Sequence, residues 1–192
     1  MKTISRASSL LAAGAVALAP AVFAPAVAHA QSASLFHGPY AGAEIGWEDN
    51  RGALGNGFNY GIFGGYNAEV APQIIAGVEA RASLSTAEGD LGPDAELRAG
   101  RSLGIAGRVG YLAAPTTLFF GKVGYENVRT RLEYNPDPLG LDNGYNNDAL
   151  VLGGGVEYAV MPSATLRVGY DYTNGENGYR RHQIKTGMAI HF

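Results

Sequence analysis

The sequence predicts an all-β fold: eight antiparallel strands closed up-and-down into a transmembrane β-barrel. Three observations predict it. Segments of about ten residues alternate apolar and small or polar side chains, the weak period-two pattern of barrel strands. The connections between those segments alternate between short and long. The two faces are also sorted the opposite way from a soluble barrel, with aromatic and aliphatic residues outside and charges and glycine inside.

The last segment shows the pattern most plainly. Phe192, Ile190, Met188, Thr186, Ile184 and His182 share one face; His191, Ala189, Gly187, Lys185, Gln183 and Arg181 share the other. At the front, Lys2 and Arg6 precede an Ala-rich apolar stretch from Leu10 to Val27, followed by the small-x-small triplet Ala28-His29-Ala30. This predicts a secretory signal peptide over 1–30 and a barrel domain over 31–192. Pro20, Pro25 and the modest hydrophobicity of alanine argue against a retained helical anchor. No later window is long and apolar enough for a spanning helix, so a membrane-resident chain must span as a closed barrel.

The eight strands are expected near 39–48, 57–67, 73–84, 101–112, 117–131, 148–160, 164–173 and 181–192. Three connections are short and each holds a proline: Ala71-Pro72, Ala114-Pro115 and Met161-Pro162. Four are longer and polar: Asp49–Asn56, Ser85–Gly100, Leu132–Asn147 and Asn174–Arg180. Membrane barrels have short periplasmic turns and longer external loops. Both termini are therefore expected in the periplasm and the four loops outside the cell.

Parity sorts the side chains. The outward set includes Ile45, Trp47, Tyr60, Ile62, Leu103, Ile105, Val123, Leu150, Leu152, Leu166 and Val168. Its aromatic members fall into two groups. Tyr66, Tyr111, Phe119, Tyr158 and Phe192 lie at the turn ends of their strands; Trp47, Tyr60, Tyr125 and Tyr172 lie toward the loop ends. Strand propensity enriches tyrosine but does not sort it by face and height, whereas a bilayer interface does. A lipocalin-like soluble barrel is excluded by this inversion.

Composition removes other classes. Cysteine is absent, which excludes a disulfide framework and thiol chemistry. The net charge is −3, so no nucleic-acid partner is indicated. The four histidines show no metal-ligand spacing. Asp90-Leu91-Gly92-Pro93-Asp94 and Asp142-Asn143-Gly144 read as turn chemistry without a calcium-coordination pattern. No cofactor or metal is expected.

Several short motifs recur in order: Gly64-Gly65-Tyr66-Asn67, Gly77-Val78-Glu79, Gly107-Arg108-Val109-Gly110-Tyr111 and Gly121-Lys122-Val123-Gly124-Tyr125. Gly153-Gly154-Gly155-Val156-Glu157-Tyr158, Leu166-Arg167-Val168-Gly169-Tyr170 and the terminal Phe192 complete the series. With them the chain resembles the small outer-membrane β-barrel family that includes the OmpA transmembrane domain, OmpX and the opacity-type surface proteins. The resemblance implies a Gram-negative outer membrane, contact with its lipid and lipopolysaccharide, and insertion by the barrel-assembly machinery with Phe192 as assembly signal. It implies no single activity, because fold and function separate. No wall-binding domain is expected beyond Phe192.

Two constellations carry candidate chemistry. Glu44, Glu79, Arg108, Lys122, Glu157 and Arg167 point inward, with Glu157 opposite Arg167 across the Met161-Pro162 hairpin. Eight strands leave an interior just wide enough for side chains to fill. The set therefore reads as an ion-pair plug, with a narrow solute or ion path as the alternative. Arg101, Arg129 and Arg131 lie outward above the loop-end aromatics, where the outer leaflet carries lipopolysaccharide phosphates. If Tyr111 pairs with Phe119, Arg101 faces Arg129. Like charges facing each other are unfavourable unless something intervenes, which suggests a phosphate clamp, with three arginines that simply fan into water as the alternative.

The polar stretch Tyr134–Asn147 is a candidate recognition loop for an unnamed surface ligand, or equally a plain solvated loop. His182 faces outward near the loop end, where a lipid A-modifying hydrolase on such a barrel places its histidine. No serine has a matching position, so no enzyme is expected. The expected role is structural or surface-interacting, with a narrow porin-like channel next and a lipid A-modifying enzyme last.

Overall fold

The computed structural model describes residues 34–51, 55–92, 95–134, 143–175 and 178–192. The signal peptide expected over 1–30 lies outside the described residues, as do 135–142 of the expected recognition loop.

Nine strands follow one another: β1 (Gly38–Arg51), β2 (Asn56–Ala71), β3 (Ile74–Ser85), β4 (Glu88–Gly92), β5 (Ala95–Ala114), β6 (Thr117–Tyr134), β7 (Asn143–Met161), β8 (Ala164–Gly175) and β9 (Arg180–His191). Every neighbouring pair is antiparallel, and β1 pairs with β9 to close the sheet. β3 and β4 both pair with β5 and form one staved strand broken at Thr86-Ala87. The barrel therefore has eight staves.

The register gives the barrel's shear. From Arg51 the pairing runs to Arg180, Asn174, Leu150, Tyr125, Ile105, Ala80, Gly64 and back to β1 at Ala41. The circuit returns ten residues along the same strand (51 minus 41). With eight staves, that stagger tilts the strands by about 40° from the axis. The shift is even, so a residue that faces outward on one strand meets outward residues all the way round. That lets a single parity rule sort the whole molecule.

Three tight turns start at Pro72, Pro115 and Pro162, where proline presets the φ that a turn needs. The barrel begins and ends at this turn end, where the Phe192 N–H donates to the Pro39 carbonyl at 3.0 Å.

The loop end differs from the sequence expectation in extent. The ladder continues well into the stretches 85–100 and 132–147: Glu88 pairs with Arg98, and Leu132 with Asn143. Alternation records an environment that differs between the two faces. Where both faces of a hairpin meet water the alternation fades, while backbone pairing continues.

The outward face is apolar and exposed. Tyr66, Tyr111, Phe119, Tyr158 and Phe192 form one exposed aromatic ring at the turn end. Trp47, Tyr60 and Tyr125 form another toward the loop end, with Tyr172 beside them half-buried. From the register the two rings are on the order of 18 Å apart along the axis.

Deleting Phe192 removes the last backbone bond of the β1–β9 seam and an aromatic of the turn-end ring. The fraction of barrel that resists boiling-free SDS and migrates heat-modifiably is expected to fall. Unchanged yield and migration of the deletion would refute this expectation.

Candidate functional site

The interior is lined by residues of inward parity, and among the described residues these include six acids and six bases. Glu44, Glu48, Glu79, Glu126, Glu157 and Asp171 face Arg81, Arg108, Lys122, Arg167, Arg181 and Lys185. Each side chain is less than a tenth exposed. A charge removed from water costs several kcal/mol unless it is paired and hydrogen-bonded, so this content requires mutual neutralisation.

The pairing is stacked along the axis. Nearest the turn end, Glu79 is the hub. It accepts from Arg167 Nη1 at 2.7 Å and from the Tyr40 hydroxyl at 3.0 Å, with Arg108 Nη1 and Lys122 Nζ each at 3.5 Å. Glu157 bridges the same two arginines, Arg108 Nη2 at 3.0 Å and Arg167 Nη2 at 2.5 Å. Aromatic faces complete the enclosure: Arg167 lies 4.1 Å over Phe63 and Arg108 4.4 Å over Phe120.

In the middle layer Asp171 accepts from Arg81 at 2.7 Å, lies 3.1 Å from Lys122, and is bonded by Lys185. Glu44 takes the remaining reach of Lys185 at 3.3 Å and of Arg81 at 3.4 Å. Arg81 also meets Glu126 at 3.2 Å, and Glu126 binds Arg181 at 2.7 Å.

Toward the loop end neutral side chains join the network. Glu48 accepts from Gln183 at 2.9 Å, from Asn50 at 3.2 Å and from the Ser85 hydroxyl. The Tyr179 hydroxyl donates to Asn50 at 3.1 Å. Burial pushes its pKa up to about 12, so it stays a donor.

Glycine makes this filling possible at specific points. A Cβ on Gly153 would collide with the Asp171 carboxylate, and one on Gly65 would lie 2.7 Å from the Tyr40 hydroxyl.

Below the charges, at the turn end, sits an apolar stopper. Phe36 is fully buried among Ile75, Leu112, Leu118 and Ala159, with Leu35 packed against them. Asn67 pins it by donating to the Phe36 carbonyl at 3.0 Å.

All six residues proposed from sequence for the interior lie in this network, but the network is twice as large. Arg81, Glu126, Asp171 and Lys185 carry the inward parity and were legible as lining. Arg181 belongs to the charged face of the last segment, and Glu48 sits near a strand end where the pattern weakens. Tyr40 was the least expected member; its parity with Glu44 is the signal that places it.

On the outward rim, Tyr111 does pair with Phe119, but a bulge between Ala99 and Ser102 intervenes. Gly100 and Arg101 together oppose Arg129, and Arg131 pairs with Arg98. Arg101 is exposed and Arg129 half-buried; the Arg131 side chain lies outside the described residues. The register read without a bulge thus needs a one-residue correction above Ser102.

His182 Nδ1 lies 2.5 Å from the Tyr170 hydroxyl, and its ring packs 5.0 Å from that of Tyr172. Among the described residues no serine hydroxyl is bonded to it, and no group of three or more His, Asp or Glu is placed to hold a metal ion.

With this geometry the comparisons are consistent. The family profile of the outer membrane protein beta-barrel domain matches residues 12–192. No curated protein matches the sequence significantly. Among solved structures the chain is similar to Neisserial surface protein A (NspA), at 21% identity and a TM-score of 0.56, over 80% of this chain and 97% of that one. It is also similar to Ail, the attachment invasion locus protein of Yersinia pestis, at 12% identity and a TM-score of 0.55, over 81% of this chain and 99% of that one. Ail has also been solved in complex with the heparin analogue sucrose octasulfate, and there the likeness is 11% identical with a TM-score of 0.55, over 81% and 99%. At these identities the likeness concerns the fold.

The network makes a graded stability prediction. Glu79→Gln leaves three cations short of one carboxylate and is expected to cost about 3–5 kcal/mol, more than neutralising any loop acid. Glu157→Gln affects two arginines, and combining it with Arg167→Met is expected to recover part of its loss. Urea unfolding in lipid vesicles reads both; no coupling between positions 157 and 167 would refute the shared network.

Proposed function

The chain belongs to the outer membrane protein beta-barrel domain family, and on that premise we propose that it is a closed, non-conducting barrel that presents its loop end for surface interaction. It is an integral protein of the outer membrane, crossing it with eight antiparallel staves. In our reading the proline turns and both termini face the periplasm, and the loop end faces the exterior. Phe192 serves as the signal read by the barrel-assembly machinery, and the leader over 1–30 is removed on export.

The single observation that carries the non-conducting reading is the filled interior. A neutral lattice of twelve buried charges lies over the Phe36 stopper. A cavity of about 10 Å³ beside Glu79, Arg81 and Lys122 has room for roughly one water. The surface-interaction role is supported by the extended hairpins at the loop end and by the fold shared with NspA and Ail, whose names state surface and attachment roles. A lipid A-modifying activity lacks support, since His182 is engaged by Tyr170 rather than by a nucleophile.

At the loop-end rim, Arg101, Arg129 and Arg131 form a clamp for lipopolysaccharide phosphate in this reading. The bulge at Gly100-Arg101 brings Arg101 against the Arg129 position, and guanidinium groups bind phosphate in a fork.

Two measurements test these readings. In planar bilayers the refolded protein is expected to give no stable single-channel openings; openings that change with Arg108→Gln or Lys122→Gln would overturn the plug. R101Q/R129Q/R131Q is expected to lower co-purifying lipopolysaccharide and its thermal stabilisation of the barrel. Equal stabilisation of variant and parent would eliminate the clamp.

A further inference from the structure

The cations of this chain are divided in an unusual way. Of fourteen lysines and arginines, Lys2 and Arg6 belong to the expected leader. Six more fill the interior, among them both remaining lysines, Lys122 and Lys185. The other six are Arg51, Arg98, Arg101, Arg129, Arg131 and Arg180: all arginine, and all on strand stretches at the loop end.

Beside the three arginines of the rim clamp stand Arg51, Arg98 and Arg180, and the Arg98 side chain lies outside the described residues. Arg51 and Arg180 are directly opposite each other in the β1–β9 register. Both are exposed and both have outward parity. Neither has an ion-pair partner among the described residues. Like charges placed directly opposite across strands are destabilising, here at the seam on which closure depends.

The surroundings define what would relieve the repulsion. One row below, β8, β9 and β1 present Tyr172, His182 and Asp49 side by side. Asp49 offsets one of the two arginine charges and leaves the patch cationic. The next row is apolar and aromatic: Tyr170, Ile184, Trp47 and Phe58, with Trp47 and Phe58 edge-to-face at 4.9 Å. A cationic fork directly above an apolar wall matches a phosphate attached to acyl chains.

A second pair of arginines is brought together across the barrel, where Gly100 and Arg101 together oppose Arg129 at a bulge. The β5–β6 pairing that carries Arg101 and Arg129 lies four staves from the β1–β9 seam in either direction. Carried round by the register, Arg51, Arg180, Arg129 and Arg101 fall within roughly 6 Å of one height, about 5–10 Å above the loop-end aromatic ring. Two arginine pairs on opposite sides at one level match a leaflet whose phosphates form a plane.

We propose that Arg51 and Arg180 form a second phosphate site, which takes one phosphorylated glycolipid of the lipid A type against the β8–β9–β1 face. The proposal rests on the reading that the loop end lies in the outer leaflet. The phosphate bridges the two guanidinium groups, and the acyl chains lie along Ile184 and Trp47.

The test refolds the parent and three variants into phosphatidylcholine vesicles. The variants are R51Q/R180Q, R101Q/R129Q/R131Q and the combination of both. The vesicles are doped with bisphosphorylated lipid A, dephosphorylated lipid A or phosphatidylglycerol, and native mass spectrometry counts the lipid retained per barrel. The parent is expected to retain two lipid A molecules, R51Q/R180Q one fewer, and the combination none. If R51Q/R180Q retains as many as the parent, the second site is overturned. If the parent holds dephosphorylated lipid A or phosphatidylglycerol equally well, it is overturned too. A loss confined to R51Q/R180Q removes the clamp at Arg101 and leaves this site standing. Should the glutamine pair fail to fold, R51K/R180K keeps the charge without the planar fork. It is expected to shorten lipid A retention, and undiminished retention overturns the site. Orientation is tested apart: the chain has no native cysteine, so a membrane-impermeant maleimide should label T86C on intact cells.

Discussion

The structure depends on one constraint: charges enclosed by eight staves must neutralise one another, because water has almost no room among them. Six acids and six bases meet that condition without surplus. Sharing makes it possible. Glu79 serves three cations, Asp171 serves three with Lys122 common to both, and Arg81 reaches three carboxylates. A chain of isolated pairs would be easier to break one at a time. In a shared lattice each member is held by several partners, so no side chain reorients without disturbing the others.

The outward face follows from the inward one. A charge that points in forces its strand neighbours to point out, and the even shear carries that choice round all eight staves. The neighbours that reach lipid are consequently Ile, Leu, Val and Tyr, with aromatic rings where the apolar band ends. Glycine reconciles the two faces: at Gly65 and Gly153 the wall yields so that Tyr40 and Asp171 fit inside without displacing a strand.

Much of this was legible in the sequence because parity is a strict code. Strand number, the proline turns, both aromatic rings and the inward placement of Glu44, Glu79, Arg108, Lys122, Glu157 and Arg167 all follow from period two. What was not legible has a common cause. The hairpin extensions around Glu88 and Asn143 lie in polar, turn-rich sequence, where backbone pairing continues without an apolar alternation to mark it. The bulge at Gly100-Arg101 changes register without a compositional mark beyond one glycine. Phe36 precedes the first strand, so no strand period could assign it to the stopper. Cross-barrel partners such as Arg81 with Asp171 are separated by 90 positions, and only the closed register brings them together.

The division of cations follows from the same physics. An ammonium is a compact point charge that several carboxylates can share from different directions, which suits Lys122 between Glu79 and Asp171 and Lys185 between Asp171 and Glu44. A guanidinium presents a planar fork that is always charged and less strongly hydrated, which suits both stacking on Phe63 and Phe120 and phosphate at an interface. Arginine therefore occurs in both places and lysine, within the barrel, in only one. If the rim cations served solubility alone, lysine would do as well as arginine at Arg51, Arg101, Arg129 and Arg180. Their shared identity and shared height are what a common phosphate plane would demand.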